Sequence, residues 1–489
     1  MVSGCVPRLT LFSSFRRSNN NNNNNNSSSS TAHQHERERA GDASLPPPAY
    51  HPAGFSLDAS KQTHGGKSGD GDQDNNDDDD PALFKAVESS VFSLSKDLRS
   101  LSLQMFDLKE TMFKEVKTHD LFCAWLEANP RRRAGWQVTR HAAGLPTAFR
   151  AEFEHRPTTL SANATIRTIG FNSELDALPA IGHACGHPLI AIAGLGAALA
   201  CADALVQHDL PGRVVLLGTP AEEGGGGKVL MLNAGAYEGM DLCLMAHPGP
   251  MSTVGSTLAV TVFKVVYKGK ASHAAAAPWE GVNALDAAVQ AYVNIATLRQ
   301  QVPPSHRMHG VIKGEGLAAN VIPAHVELEF NARAPTKPEL EALIPRVRAC
   351  FDAAALATAC DVEITVSMVY ADLQNSSPLS ALFRRTMASH YADDFATVDI
   401  PGSTDFGDVS YALPALHPFY SIPLSDPKGG GNHTVAFERD ARKPEAHDKT
   451  LQVAVAMALT GLKVVTDDAF ASEVREKWEQ WKKGKSPGP

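Results

Sequence analysis

The sequence has no long cluster of lysine and arginine, and its formal charge of −9 argues against a nucleic-acid partner, whose phosphates would demand a basic face. Its seven cysteines, at positions 5, 123, 185, 201, 243, 350 and 360, are odd in number and lack framework spacing, which excludes a disulfide scaffold. A secretory apolar segment is also missing, so the expected compartment is reducing and cytoplasmic. Long apolar runs are scarce. The best of them, "PLIAIAGLGAALACADALV" from Pro188, is rich in Ala and Gly and meets Asp203 before it could span a bilayer, so it reads as a buried helix and no membrane partner is expected. A nucleotide cradle is excluded as well: glycines 224–227 precede Lys228, but Val229 stands where Ser or Thr is required, and the earlier glycine of that motif is absent.

What is present is a composition 43% hydrophobic, enough for one large or two medium cores. Metal is then not needed merely to fold, and any metal site serves chemistry. Residues 1–80 hold an Asn run, a Ser run, a Pro triplet and Asp77 to Asp80, and cannot bury enough apolar surface to order. Within them residues 1–35 have no acidic residue and carry Arg8, Arg16 and Arg17 among serines, a secondary expectation of mitochondrial targeting.

From Pro81 the pattern becomes globular. Helical apolar spacing up to about residue 129 is followed by short strands, of which "RVVLLGTP" and "DLCLMAHP" are continuously apolar, as in an α/β sheet covered on both faces. Residues 258–370 instead follow the order β-α-β-β-α-β of a ferredoxin-like domain. The expected organisation is a disordered segment 1–80, a first catalytic part 81–257, the inserted domain 258–370, a second catalytic part 371–470 and a C-terminal tail 471–489 in which a helix frays.

Three strands end in residues able to bind metal: "TIGFN" runs into Glu174 and Asp176, "VVLLG" into Glu222 and Glu223, and "LCLMA" into His247. Sites in open α/β sheets form outside such carboxyl ends. Cys185 and His187 flank a single glycine, which lets thiolate and imidazole converge from a tight turn. Taken alone they would read as a buried thiol and a hydrogen-bonded histidine, and the Glu-Glu pair as an acidic turn. Taken together, Cys185, His187, Glu223, His247 and His433 are enough to hold two divalent ions, while Glu222 projects differently and can serve as general base. A thiolate favours zinc, and the carboxylate and imidazole donors admit manganese or cobalt.

With these residues assembled, the chain resembles the aminoacylase and carboxypeptidase-type co-catalytic metallopeptidases, in the "ACGH" branch of auxin-conjugate and N-acyl-amino-acid amidohydrolases. It is most similar there to the Xaa-Arg (β-alanyl-lysine) dipeptidase group. "ELDALPAIGHACGHPLIA", "GTPAEEGGGGKVLMLNAGAY", "MAHPGP", "GKASHAAAAPWEGVNALDA", "ANVIPAHVELEFNARAP", "GSTDFGDVS" and "NHT" carry the resemblance, in the family's order, across about residues 95–465.

The resemblance implies an α/β fold, a mixed-sheet metallopeptidase catalytic domain with an inserted ferredoxin-like lid and dimerisation domain. It implies two metals on Cys185, His187, Glu223, His247 and His433, Glu222 as general base, and Asp176 orienting a ligand from behind. Glu174 stands where related branches place a ligand His or an Asp, and is left as a supporting residue. His273 would reach the partner subunit's site and meet the oxyanion, which implies a homodimer, and Asn320 and Arg333 would hold the substrate's carbonyl and carboxylate. The implied reaction is hydrolysis of the amide bond of a dipeptide, Xaa-Arg, Xaa-Lys or β-alanyl-lysine. The alternatives are an aminoacylase or carbamoylase acting on acyl or ureido groups, and a metal-binding scaffold without turnover.

Two departures stand out. Pro188 replaces the Asn or Asp usual after "ACGH", removing a polar side chain and a backbone donor beside the ligands, and the early "HxxPE" signature is not recognisable in "MFDLKETMFKEVKTHD". His447 also falls where relatives carry a His, but it opens the last long helix and is not counted as a ligand.

Overall fold

The computed structural model describes residues 80–128, 135–161, 164–367 and 369–485. The expectations for the low-complexity segment and its targeting character therefore fall outside the described residues, apart from Asp80. That residue caps the first helix, α1 (Pro81–Ser93), its Oδ1 accepting from Ala82 N at 2.9 Å and Leu83 N at 3.3 Å. Helices α2 (Ser95–Leu108) and α3 (Val116–Glu127) follow. Between them Glu110 accepts from the backbone of Lys117 and Thr118 and from the Thr118 hydroxyl, which ties the α2 exit to the α3 entry without the expected signature.

The main sheet is mixed. Its order is β1 (Gln137–Arg140), β2 (Phe149–His155), β4 (Gly212–Thr219), β3 (Thr168–Glu174), β5 (Leu242–Leu244), β11 (Ala415–Leu416). β1, β2 and β4 pair antiparallel, whereas β4, β3, β5 and β11 run parallel. Alternate residues of these strands feed two cores, as their uninterrupted apolar character predicts. Ile169, Phe171, Val214, Leu216, Leu242 and Leu244 face helices α4 (His187–Gln207) and α11 (Pro444–Thr466). Val215, Leu217 and Cys243 face α5 (Gly227–Asn233) and α9 (Phe406–Ala412).

Helix α4 is longer than the apolar run suggested. Its mean hydropathy of 2.2 over a membrane-length segment would suit a bilayer, yet 89% of that segment is buried inside the protein. It is the core helix the sequence predicted, and Pro188 lies in its first turn, where a missing N–H leaves no helical bond unmade.

A second sheet, entirely antiparallel, has the order β10 (Asp361–Val366), β7 (Ala259–Lys268), β9 (His325–Ala334), β8 (Arg307–Lys313). Helices α6 (Ala284–Leu298) and α7 (Lys337–Thr358) cover one face, packing Ala291, Ile295, Val347 and Phe351 onto Phe263, Val265, Leu328 and Phe330. Its strands alternate buried and exposed residues, the mark of a sheet wet on one side. A two-stranded parallel ribbon, β6 (His247–Gly249) with β12 (Phe419–Ser421), completes the strands. Helices α8 (Ser377–Tyr391), α10 (Val435–Ala441) and α12 (Asp468–Lys485) complete the α-helices among the described residues. The predicted fraying tail is thus helical to Lys485, and Trp478 Nε1 anchors it by donating to the Ser410 carbonyl at 3.0 Å.

Candidate metal centre

The parallel strands deliver acidic side chains to one end of the sheet. Glu174 is the last residue of β3, with Asp176 two residues on, and β4 leads through Pro220 into Glu222 and Glu223. The turn after β4 is strained, with Ala221 at φ 57°, and three successive N–H groups are gripped to hold it. Glu115 Oε1 accepts from Ala221 N at 3.0 Å, and the two oxygens of Asp176 accept from Glu222 N and Glu223 N at 3.1 Å each. The Tyr370 hydroxyl donates to the Glu222 carbonyl at 3.1 Å. Glu222 and Glu223 are therefore fixed by their backbones, leaving both carboxylates for chemistry.

The second contribution comes from the turn before α4. Gly186 adopts φ 91°, and a Cβ there would lie 2.6 Å from Pro248 Cγ, so only glycine lets Cys185 and His187 face inward on either side of it. His187 Nδ1 lies 2.6 Å from the Asp176 carbonyl, and His247 Nδ1 lies 2.7 Å from the Pro248 carbonyl. Each ring therefore donates through Nδ1 and turns Nε2 inward, the orientation in which a neutral imidazole binds metal. Asn432 Nδ2 bonds the carbonyls of Cys185 and Pro248 at 3.1 and 3.0 Å, fixing the loop that carries His433.

The donor atoms converge. Cys185 Sγ is 3.3 Å from His247 Nε2, His433 Nε2 is 3.4 Å from Glu223 Oε1, and His187 Nε2 is 3.7 Å from the same Glu223 oxygen. Three sets with all their donor atoms within 4.8 Å of one another follow: Cys185, His187 and His247; Cys185, Glu223 and His433; Glu174, His187 and Glu222. Buried polar atoms are normally paired, yet Glu174 Oε2, His187 Nε2 and Glu223 Oε1 make no hydrogen bond. A thiol, imidazoles and carboxylates converging inward, some of them without a hydrogen bond, fit divalent cations, and two such ions suit the number of donors.

Electrostatics divides the two glutamates. Burial, then the charges of Glu174 and Glu223, push Glu222 well above the usual carboxylate range. Glu223 is held below that range despite burial, by His433 and His187, and Asp176 likewise by His187. Glu222 is thus the carboxylate with the stronger hold on a proton. Burial lowers His247 to about 4, keeping it neutral, and pushes the Cys185 thiol well up.

All five predicted ligands, with Glu222 and Asp176, come together in this cluster. His273, Asn320 and Arg333 do not: among the described residues no hydrogen bond or ion pair joins them to it. His273 and Asn320 are exposed on adjacent loops of the second sheet, linked by Ala274 N donating to the Asn320 carbonyl at 3.0 Å. Arg333 lies on β9 and donates from Nη1 to Ser403 Oγ at 2.7 Å. His447 lies apart from the cluster, its Nε2 3.1 Å from Ser95 Oγ.

Three residues of the site escape the sequence reading: Glu115, Lys228 and Asp405. Lys228 stands out in the sequence only through a nucleotide motif that it fails to complete, and Asp405 carries no role within "GSTDFGDVS". Both are wholly buried, with Lys228 Nζ 2.6 Å from Glu174 Oε1 and 2.6 Å from Asp405 Oδ1.

The profile of Peptidase family M20/M25/M40 matches residues 170–457. The chain is 41% identical over 405 residues to Xaa-Arg dipeptidase of Mus musculus, covering 81% of this chain and 92% of that one. It is 25% identical to a polypeptide of the p-aminobenzoyl-glutamate hydrolase of Escherichia coli, covering 81% and 95%. Among solved structures, a Bacillus subtilis protein described as a dinuclear metal binding peptidase of the M20 family superposes with TM-score 0.54 at 21% identity, covering 77% of this chain and 98% of that one.

Proposed function

The chain belongs to peptidase family M20/M25/M40 and is a hydrolase, and from that premise we propose that it is a metal-dependent dipeptidase acting on Xaa-Arg, with Xaa-Lys and β-alanyl-lysine as neighbouring substrates. The observation that carries this is the inward convergence of thiol, imidazole and carboxylate atoms, several of them buried without a hydrogen bond, on a chain similar over most of its length to an Xaa-Arg dipeptidase. Cys185, His187, Glu223, His247 and His433 would hold two divalent ions, zinc in first place for the thiolate and manganese as the alternative. Such ions, when bound, polarise the scissile carbonyl and acidify water.

The chain's own residues do the rest. Glu222 takes the proton of the attacking water on its carboxylate and returns it to the leaving amine nitrogen. Asp176 holds His187 and the Glu222–Glu223 turn in place. Arg333, one of whose N–H groups is taken by Ser403, keeps the remainder of its fork for the substrate's terminal carboxylate, and Asn320 receives the carbonyl. In this reading residues 258–370 form a ferredoxin-like lid and dimerisation domain between the catalytic parts 81–257 and 371–470, and their strand order supports it. His273, exposed on that lid, would serve the partner subunit's oxyanion in a homodimer.

A second reading, an N-acyl-amino-acid amidohydrolase, is favoured by the similarity to p-aminobenzoyl-glutamate hydrolase. The silent scaffold loses ground because Pro188 fits the first turn of α4 while the ligands still converge. A cytoplasmic location accords with the unpaired state of all six described cysteines.

The test is metal content per chain together with hydrolysis of Xaa-Arg, Xaa-Lys, β-alanyl-lysine and N-acyl amino acids, on wild type and Glu222→Gln. Two bound ions, with Xaa-Arg turnover falling at least about 10²-fold in the variant, is the expected result. A variant that keeps most of its turnover would remove Glu222 from its role, and preference for N-acyl substrates would select the second reading.

A further inference from the structure

Glu174 is wholly buried at the end of β3, and its two oxygens are treated differently. Oε1 lies 2.6 Å from Lys228 Nζ, whereas Oε2 makes no hydrogen bond and lies 3.3 Å from His187 Nε2, itself without a hydrogen-bond partner. Lys228 is in turn clamped by Asp405: Oδ1 stands 2.6 Å from its Nζ, and Oδ2 accepts from its backbone N–H at 2.9 Å. All three side chains are wholly buried, where carboxylate oxygens are normally paired. Oε2 is instead turned toward His187 and Glu222, and the donor atoms of these three residues lie within 4.8 Å of one another, a set able to hold a cation.

We propose that Glu174 is a further metal donor of this chain, through Oε2, and that Lys228, clamped by Asp405, is the positioning residue that pins Oε1 and so aims Oε2 toward His187. The proposal rests on the reading of the cluster as a metal centre. It makes the site richer by one carboxylate than the five-residue set, and gives the buried lysine a task that a purely structural ion pair would not have. A carboxylate with one oxygen fixed by an ammonium can offer a cation only the other, so the pair also sets how Glu174 binds.

The experiment uses the full chain, stripped with a chelator and retitrated with Zn2+. Both affinities are read by chelator competition, and stoichiometry by elemental analysis. Wild type is expected to bind two ions. Glu174→Gln, which can still accept from Lys228, is expected to weaken one ion at least about tenfold and to shrink the rise in melting temperature that zinc produces. Lys228→Met, which keeps the carboxylate but frees its anchor, is expected to weaken the same ion by less. If Glu174→Gln does not fold, Glu174→Asp keeps the charge, withdraws the oxygens by one methylene and is expected to weaken the same ion. Wild-type affinity for both ions in whichever Glu174 variant folds would overturn the proposal and leave the metal centre standing. A wild type that binds no ion would overturn both.

Discussion

Gly186 shows how much of the site rests on one backbone position. Its φ of 91° and the 2.6 Å approach of Pro248 to a would-be Cβ mean that alanine must both enter an unfavourable conformation and push against a ring. Gly186→Ala is expected to cost about 1–3 kcal/mol in denaturant unfolding and to weaken metal uptake, because Cys185 and His187 diverge as the turn relaxes. Unchanged zinc affinity in the folded variant would count against this account. This part is legible in the sequence, since Cys-Gly-His spacing is local and the purpose of the glycine follows from it. Glu174 is only half legible: its place at a strand end can be read, but nothing near it in the chain indicates the ammonium on its other side.

Among the elements, the entry to α3 and the start of α11 each reach across the molecule. Glu115, just ahead of α3, accepts from Phe113 N, Ala221 N and the Thr147 hydroxyl, linking the helix entry to the strained turn before Glu222. Glu115→Ala would orphan these donors at about 1–3 kcal/mol for each that water cannot reach, so melting temperature and kcat are expected to fall together. Loss of stability with kcat intact would separate the helix entry from the site.

His447, near the start of α11, is pushed by burial, then by the charge of Arg99, to about 4 from an ordinary 6.5. The unfolded chain therefore takes up this proton first. Its contribution to stability is complete above pH 6.5 and is lost as pH falls toward 4, by up to about 3 kcal/mol. A melting-temperature series over that window is expected to fall less steeply in His447→Gln than in wild type, and parallel curves would refute it. The helix itself is evident in the sequence. The burial of its histidine depends on α2 and is not.

For the molecule as a whole, the matter to decide is whether residues on the second sheet and its loops serve a site at the end of the first. His273, Asn320 and Arg333 make no hydrogen bond or ion pair with the cluster within the described chain. If His273 completes the partner subunit's site, mixing inactive His273→Ala and Glu222→Gln chains yields hybrids in which one site has both residues. Random reassortment would restore about a quarter of wild-type activity. Activity that stays absent after verified subunit exchange would mean that each chain uses its own His273.

The sequence by itself determined the parts whose logic is local: strands ending in acidic residues or histidine, a thiol and an imidazole held one glycine apart, and the order of strands and helices along residues 258–370. Uninterrupted apolar strands likewise announced a sheet covered on both faces. Tertiary structure alone decided what supports the candidate ligands. Lys228 meets Glu174 across 54 residues and Asp405 across 177, and Glu115 meets Ala221 across 106. Such contacts leave no periodicity and no spacing to read. A buried charge is stable only beside a partner, and which partner it finds is fixed when the strands and helices pack.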